Sequence, residues 1–391
     1  MVTTYSTAEE AHAEAMARGA RCTECPLYGQ EKGPVMSLIR PQARLAIIAE
    51  APGENEVEQG EPLVGASGRI VNDAIAAGGQ PREHVSLINT ICCQPPDSFE
   101  QYHAKLKHAA RKAGQLESLV TPVEACRPRL ERDLKEADAT VELAVGQQAL
   151  QAVARWHRIS VGKKQSQEEN RLRIANLRKQ HGAPVVLSDE PRKVLLTCYH
   201  PAYALRGARA WMPVIQTVIK RAAKIASRGG QIDWHRPTYN LDPTLQEFID
   251  FSERAIRANS RLMVDIETDG IDPDTATIRT IGFGRWTDDG GYDILVLPLH
   301  DMAGAPTWNP DEMRQVEEIC RILFDELPLA GQNFSFDTSV LLARGLMTKR
   351  RKEYFDVMLA HHNTEMCELP HDLGFITSQY YEAPRHKDDV D

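Results

Sequence analysis

The sequence predicts two successive α/β domains, and three observations point that way. The first half alternates short apolar runs with helix-like stretches. The second half does so again after a Gly/Pro-rich break. A chain of 391 residues is also long for one domain and comfortable for two. The expected organisation is a three-layer α/β/α sheet domain over residues 1–228, a linker over 229–243, and a second α/β domain over 244–391.

The elements follow in chain order. Leu45–Ala49 is an apolar run of strand length that ends abruptly at a carboxylate, Glu50. A Pro/Gly turn and a glycine-studded loop come next, then a helix pattern over Ser67–Ala77, stopped by Gly78-Gly79. His84–Ile91, Val141–Val145 and Val194–Thr197 read as strands. Gly146 leads into a helix from about Gln147, and a helix over Trp211–Ala226 closes the half. Alternation of this kind implies a mostly parallel sheet covered on both faces. Two polar segments, about 97–121 and 157–192, interrupt it and read as long loops. Arg228-Gly229-Gly230 and the following RPTYNLDP read as the linker.

In the second half Asp242 is the expected N-cap, and Pro243 the first residue, of a helix reaching about Ala258. Strands are expected at Leu262–Ile266, Thr280–Gly284 and Tyr292–Leu297, then a helix over Pro310–Asp325. A short strand near Pro328–Ala330 and helices over Thr338–Arg344 and Phe355–His362 complete it. No internal repeat is visible.

A hydrophobic content of 42% with 26% charged residues is ordinary for a globular protein. No apolar run approaches the roughly 20 residues of a membrane span. The acidic N-terminal stretch lacks a signal-peptide core, so the expected location is cytoplasmic. The net charge of −9 argues against indiscriminate nucleic-acid binding. Two local basic runs argue for phosphate contacts: eight Lys/Arg between Arg155 and His181, and six between Arg206 and Arg228 with no acid among them. The usual fate of such runs is a solvated helix face. The chain's eight cysteines suggest metal or redox use rather than a disulfide framework. Cys22 and Cys25 form a Cys-x-x-Cys pair that can present two thiolates to one metal, with Cys92, Cys93 and Cys126 further on.

Three expected strand ends each deliver a polar group: Glu50, Asn89 and, in CYHPAY, His200. In a parallel sheet these ends share one edge and converge on one crevice. A carboxylate, an amide and an imidazole suit hydrolysis of a bond to a heterocycle. The carboxylate orients water or stabilises positive charge, the amide reads donors and acceptors, and the imidazole stabilises a leaving anion.

AEAPGENEVEQGEPLVGASG, NTICCQPP, AVGQQAL and YHPAYALR, in that order over about 21–228, resemble the motifs of the iron–sulfur uracil-DNA glycosylases. The resemblance implies base flipping and cleavage of the N-glycosidic bond of deoxyuridine in single- or double-stranded DNA. By motif position, Glu50 would polarise the attacking water, with Gly53 and residue 63 in the same substrate loop. Asn89 would read the uracil edge and His200 would stabilise the departing anion. The segment holding Tyr203 and Arg206 would approach the minor groove. Cys22, Cys25, Cys93 and Cys126 fall where that family holds a structural [4Fe–4S] cluster. Cys92 adjoins Cys93, so either can be the ligand, and motif register favours Cys93. The family pattern has an aromatic residue where this chain has Leu63. A base–aromatic stack contributes about 1–3 kcal/mol, so a weaker or altered pocket is expected. The spacing from Cys93 to Cys126 is stretched, which accounts for the first long polar segment.

VDIETDG puts Asp265 and Glu267 on one face of a strand, and GQNFSFDTSVL supplies Asp337 at a helix start. Three carboxylates at a strand end can hold two divalent cations, Mg²⁺ or Mn²⁺, about 3.5–4 Å apart for phosphodiester hydrolysis. From about Thr244 the chain resembles the ribonuclease H-like 3′→5′ proofreading exonuclease domain of family A DNA polymerases. Asp356 and His371 read as structural. That family's closing Tyr-x-x-x-Asp is missing: Tyr380 and Tyr381 meet Pro384 and Arg385 at that spacing, and His386 with Asp391 reads as a coincidental match. The expectation is a phage-like fusion that stops short, with a polymerase domain downstream. The competing expectation is a uracil-recognition or DNA-binding module with weak or no catalysis.

Overall fold

The computed structural model describes residues 7–29, 33–161, 173–174, 176–234, 237–349, 354–365 and 367–385. The chain divides into two compact units, residues 1–234 with 374–391, and residues 235–373. The division falls inside the expected linker. The stretch from Gly374, expected in the second domain, groups with the first unit instead.

In the first unit α1 (Ala8–Ala17) precedes a short 3₁₀ turn at Cys22–Glu24. There follow β1 (Leu45–Ala49), α2 (Glu54–Gln59), α3 (Ala66–Ala77), β2 (Val85–Asn89), α4 (Phe99–Lys112), α5 (Pro122–Ala137), β3 (Val141–Val145) and α6 (Gln147–Trp156). Next come the small pair β4 (Ser160–Val161) and β5 (Arg173–Ile174), then α7 (Leu177–Gln180), β6 (Val185–Asp189), β7 (Arg192–Cys198), α8 (Pro201–Leu205) and α9 (Trp211–Ser227). The main sheet has the order β2-β1-β3-β7-β6. All pairs are parallel except β6 with β7. Every residue of β1, β2 and β3 is buried, as strands covered on both faces must be. Leu130, Leu134, Leu150 and Val153 of α5 and α6 pack with Ile48, Ile88 and Leu195 on one face. α9 covers β1, β3 and β7 and packs on α3. There Gly78 permits close approach, since a Cβ would lie 2.5 Å from that of Ala223. The three-layer expectation for this unit describes it well.

Two expected loops contain structure. The segment 97–121 holds α4, started by Ser98, whose hydroxyl accepts from the Gln101 N–H. The segment 157–192 holds β4, β5, α7 and the edge strand β6, with residues 162–172 outside the described set. From Gly374, within α14 (Leu373–Tyr380), the chain returns to this unit. The Phe375 ring meets Trp211 edge-on at 5.6 Å, and buried Arg221 donates to the carbonyls of Ser378 and Gln379.

The second unit contains α10 (Leu245–Arg257), β8 (Leu262–Thr268), β9 (Ile278–Trp286), β10 (Tyr292–Pro298), α11 (Pro310–Glu326), β11 (Leu329–Gly331), α12 (Ser335–Ala343), β12 (Phe355–Asp356) and α13 (Val357–Thr364). Its mixed sheet has the order β10-β9-β8-β11-β12, antiparallel through β10, β9 and β8, and parallel from β8 through β12. Phe248, Phe251, Phe283 and Phe324 fill the core. The expected helix start at Asp242-Pro243 is corrected. Thr244 is the N-cap, and its hydroxyl and backbone N–H engage Glu247 reciprocally. That capping box satisfies two helix-start groups, and it outcompetes a proline start. Phe355 and Asp356, expected to open a helix, pair with β11 as a strand, and the helix starts at Val357.

Candidate active site

The parallel register Ala49↔Asn89 and Val145↔Cys198 brings the ends of β1, β2, β3 and β7 to one edge. A cavity of about 380 Å³ opens there, lined by Glu50, Gly53, Leu63, Asn89, His200 and Arg206 among others. Tyr203 is outside this lining. It is 43% exposed and stacks on Tyr199 at 5.1 Å.

Glu50 follows β1 at the cavity wall. Its Oε1 accepts from the Gln148 backbone N–H at 3.0 Å, at the N-terminus of α6. Burial pushes its carboxyl up to about 6, and the α6 N–H opposes that shift. Gly146 makes this approach possible. It has φ +103°, and a Cβ there would lie 2.5 Å from the Glu50 carboxyl carbon. Asn89 ends β2 and is 3% exposed. Its Nδ2 has no hydrogen-bond partner, an arrangement that costs about 1–3 kcal/mol unless a ligand supplies an acceptor. His200 is the N-cap of α8, and its Nδ1 accepts from the Ala202 N–H at 3.2 Å. Burial, with the nearby Arg206 cation adding, lowers its pKa to about 4. The ring is therefore neutral at pH 7. With Nδ1 accepting, its proton sits on Nε2.

The loop between Gly53 and Gly65 is organised by Glu56, a residue the sequence reading passed over. Its buried carboxylate accepts from the backbone N–H groups of Gly53 (3.1 Å), Val64 (3.2 Å) and Gly65 (2.8 Å). Its position three residues after Gly53 is a capping-box spacing that could have flagged it. Leu63 adopts φ +57°, a conformation disfavoured for a branched side chain. Arg82 and Asn72 hold its carbonyl at 3.0 and 3.3 Å. Arg129 was also missed. Fully buried on α5, it donates to the carbonyls of Asn89 (2.8 Å) and Thr90 (3.0 Å) and pairs with buried Asp133 at 2.8 Å. It thereby fixes the backbone that carries Asn89.

Cys22, Cys25, Cys92, Cys93 and Cys126 line one small apolar cavity with His12 and Tyr28. Cys126 sits on α5, whose start is fixed by Thr121 and Glu124. Burial pushes Cys22 and Cys25 up to about 11 and Cys93 higher still, with the neighbouring thiols adding. Cys126 departs from this, lowered to about 6 chiefly by the hydrogen bond from Cys92, with the buried Arg129 cation assisting. Several thiols around one apolar cavity, one of them already inclined to ionise, form a donor set that fits a cluster chemically. Cys93 feels Cys126, Cys25 and Cys22, whereas Cys92 interacts with Cys126 and Cys93. Among the described residues no three His, Cys, Asp or Glu side chains are arranged to hold a single metal ion. A four-iron cluster spreads its thiolates over separate irons, which is a different demand.

In the second unit β8 alternates as expected, with Leu262, Val264 and Ile266 buried and Asp265 and Glu267 on the open face. Asp337 on α12 is 6% exposed and accepts from the Ile266 N–H at 3.1 Å. Burial raises its carboxyl to about 6, with Asp265 and Asp356 adding. Glu267 is exposed on the same face of β8 as Asp265, and among the described residues no three such side chains are arranged to hold a single metal ion. Asp356 accepts from the N–H groups of Asn333, Phe334, Met358 and Leu359 at 2.8–3.3 Å. The His371 ring bridges His361 and His362. His386 and Asp391 lie outside the described residues.

Residues 36–221 match the family model of the Uracil DNA glycosylase superfamily, a span that includes every strand of the first sheet and begins after Cys22 and Cys25. Among curated proteins, the type-4 uracil-DNA glycosylase of Archaeoglobus fulgidus is 31% identical over 109 residues, 28% of this chain and 52% of the relative. Those of Pyrobaculum aerophilum and Thermotoga maritima are each 32% identical, over 99 and 81 residues. These stretches are 24% and 21% of this chain, and 50% and 42% of the relatives. The chain thus spans about half the length of the curated relatives it matches. No helix among the described residues is long and apolar enough to cross a membrane.

Proposed function

We propose that the first unit recognises uracil in DNA and hydrolyses its N-glycosidic bond. The observation that carries this reading is the buried, unpartnered Asn89 amide facing one cavity with Glu50 and a neutral His200. A flipped base that presents a carbonyl to the Asn89 Nδ2 removes its desolvation penalty. Water then forms a bond to the sugar C1′ as the C1′–N1 bond breaks, and the electron pair leaves with uracil. The Glu50 carboxylate stabilises the positive charge developing on the sugar and orients the water. The Nε2–H of His200 donates to the anion forming on uracil, which is later protonated. Cys22, Cys25, Cys93 and Cys126 would hold a [4Fe–4S] cluster that ties the N-terminal segment to β2 and α5. DNA is the implied partner, and Arg206 and Tyr203 flank the site from the α8 side.

Incubation with a uracil-containing single-stranded oligonucleotide, then alkali, is expected to give scission at the uracil, reduced about 10²–10³-fold in Glu50→Gln, the cost typical of losing one electrostatic stabiliser. Binding of the uracil strand without scission would leave only the recognition-module reading. Equal treatment of uracil and thymine strands would end both.

A second reading concerns the second unit. The Asp265–Asp337 pair beside the β8 end, on an antiparallel meander extended by two parallel strands, supports a ribonuclease H-like 3′→5′ exonuclease domain of the polymerase type. Mg²⁺-dependent loss of 3′ nucleotides, abolished in Asp265→Ala, tests it.

A further inference from the structure

The cavity edge lacks a ring at Leu63, yet it does not lack one altogether. We propose that Phe99 is the stacking face for the base, supplied by the inserted helix α4 and backed by the cysteine cluster. This rests on the uracil-recognition reading above. Phe99 is the first residue of α4, in the stretched segment between Cys93 and Cys126. Among the described residues it is the only phenylalanine, tyrosine or tryptophan lining the cavity, which it shares with Glu50, Leu63, Asn89 and His200. On its other side it packs with Leu27, Ile91, Cys126, Cys25 and Cys93. At 5% exposure the ring is held rather than free, with His103 edge-on at 6.2 Å. A ring fixed in advance loses little entropy when a base stacks on it.

The start of α4 fixes that position. Ser98 caps the helix, and Asp97 pairs with Lys105 at 2.6 Å. Gln94, Pro95, Asp97, Ser98 and Glu100 also line the cavity, so the chain entering α4 borders it continuously with Phe99. A residue serving only as core packing would fill the same space, but its aromatic character would not matter to the ligand. That difference can be measured.

The protein carrying Glu50→Gln, which slows turnover about 10²–10³-fold, is titrated with fluorescent single strands differing only in one uracil or thymine. Phe99→Leu is expected to weaken the uracil strand about 5- to 150-fold, the range for losing one base–aromatic contact, and the thymine strand little. Phe99→Tyr keeps the preference. Tyr102→Leu, one turn along α4 in the same apolar cluster but outside the cavity lining, leaves it unchanged. Absorption near 400 nm, an approximate iron–sulfur signature, and the melting temperature are recorded for each variant. A Phe99→Leu protein that keeps both signals and the full uracil preference overturns the proposal. An equal loss in Tyr102→Leu also overturns it, by assigning the effect to packing. Absence of any uracil preference in the parent protein instead defeats the underlying reading of the site.

Discussion

On the proposed mechanism Glu50 carries a conflict between stability and function that can be measured. Its folded-state value of about 6 lies above the ordinary 4.5. Between those values the folded protein keeps a proton that the unfolded chain has lost. Stability from this group is therefore fullest below pH 4.5, falls as pH rises towards 6, and stays lower above it. The proposed catalysis needs the opposite state, the carboxylate. Excision is expected to rise about tenfold per pH unit below about 6 and level off above. Because His200 is already neutral, no alkaline fall from its titration is expected up to pH 8. Glu50→Gln is expected to melt higher than the parent at pH 7, by up to about 2 kcal/mol, with little difference at pH 4.5. Differential scanning calorimetry and single-turnover rates between pH 4.5 and 8 check both limbs. A rate independent of pH from 5 to 7 would remove Glu50 from the reaction. At this scale the sequence exposed the groups that stand at strand ends, because a polar residue terminating an apolar run is conspicuous. It hid Arg129, Glu56 and Phe99. An arginine in a charged helix, an acid in a polar loop and a lone ring reveal their roles only through distant partners.

Elements were legible where one signal dominated and illegible where two competed. The buried strands β1, β2 and β3 were visible as short apolar runs, and α3 and α9 as apolar helical periodicity. The edge strand β6 was not, because it is only partly buried and its sequence is correspondingly mixed. α4 resembles a loop in sequence because only Phe99 and Ala110 of its residues are buried, leaving a weak apolar stripe in a basic segment. At the start of α10, Pro243 and the capping box offered rival beginnings, and the reciprocal hydrogen bonds of Thr244 and Glu247 decided it. The consequence is specific. Thr244→Ala is expected to destabilise the second unit by about 1 kcal/mol, whereas Asp242→Ala costs within about 0.5 kcal/mol. Urea denaturation followed by a probe in that unit distinguishes them. Equal effects, or a larger loss at Asp242, would restore the proline start.

At the scale of the whole molecule the two units have separate cores and separate candidate chemistries. Phe248, Phe251, Phe283 and Phe324 stabilise one sheet, while Leu130, Leu150 and Val153 support the other. The break between them was legible as Gly, Pro, Asn and Asp clustering. The return of the chain from Gly374 to the first unit was not, because Phe375 and the Ser378 carbonyl find partners in Trp211 and Arg221 far away in sequence. Carboxylates are asked to do different work in each unit. In the reading proposed for the first, Glu50 acts singly, beside a neutral imidazole. In the second, burial raises the pKa of Asp337 and the Asp265 charge adds to it, a repulsion that a divalent cation would relieve. If both readings hold, the activities separate cleanly. Asp265→Ala is expected to abolish 3′ nucleotide release and leave alkali-revealed uracil scission within about twofold. Glu50→Gln is expected to do the reverse. The two assays on one labelled strand, with Mg²⁺ and with a chelator, read this directly, and the chelator should silence only nucleotide release. Nucleotide release that survives both Asp265→Ala and the chelator would refute the carboxylate assignment. Scission that needs Mg²⁺ would refute the assignment of glycosidic cleavage to Glu50 and His200, whose chemistry requires no divalent cation.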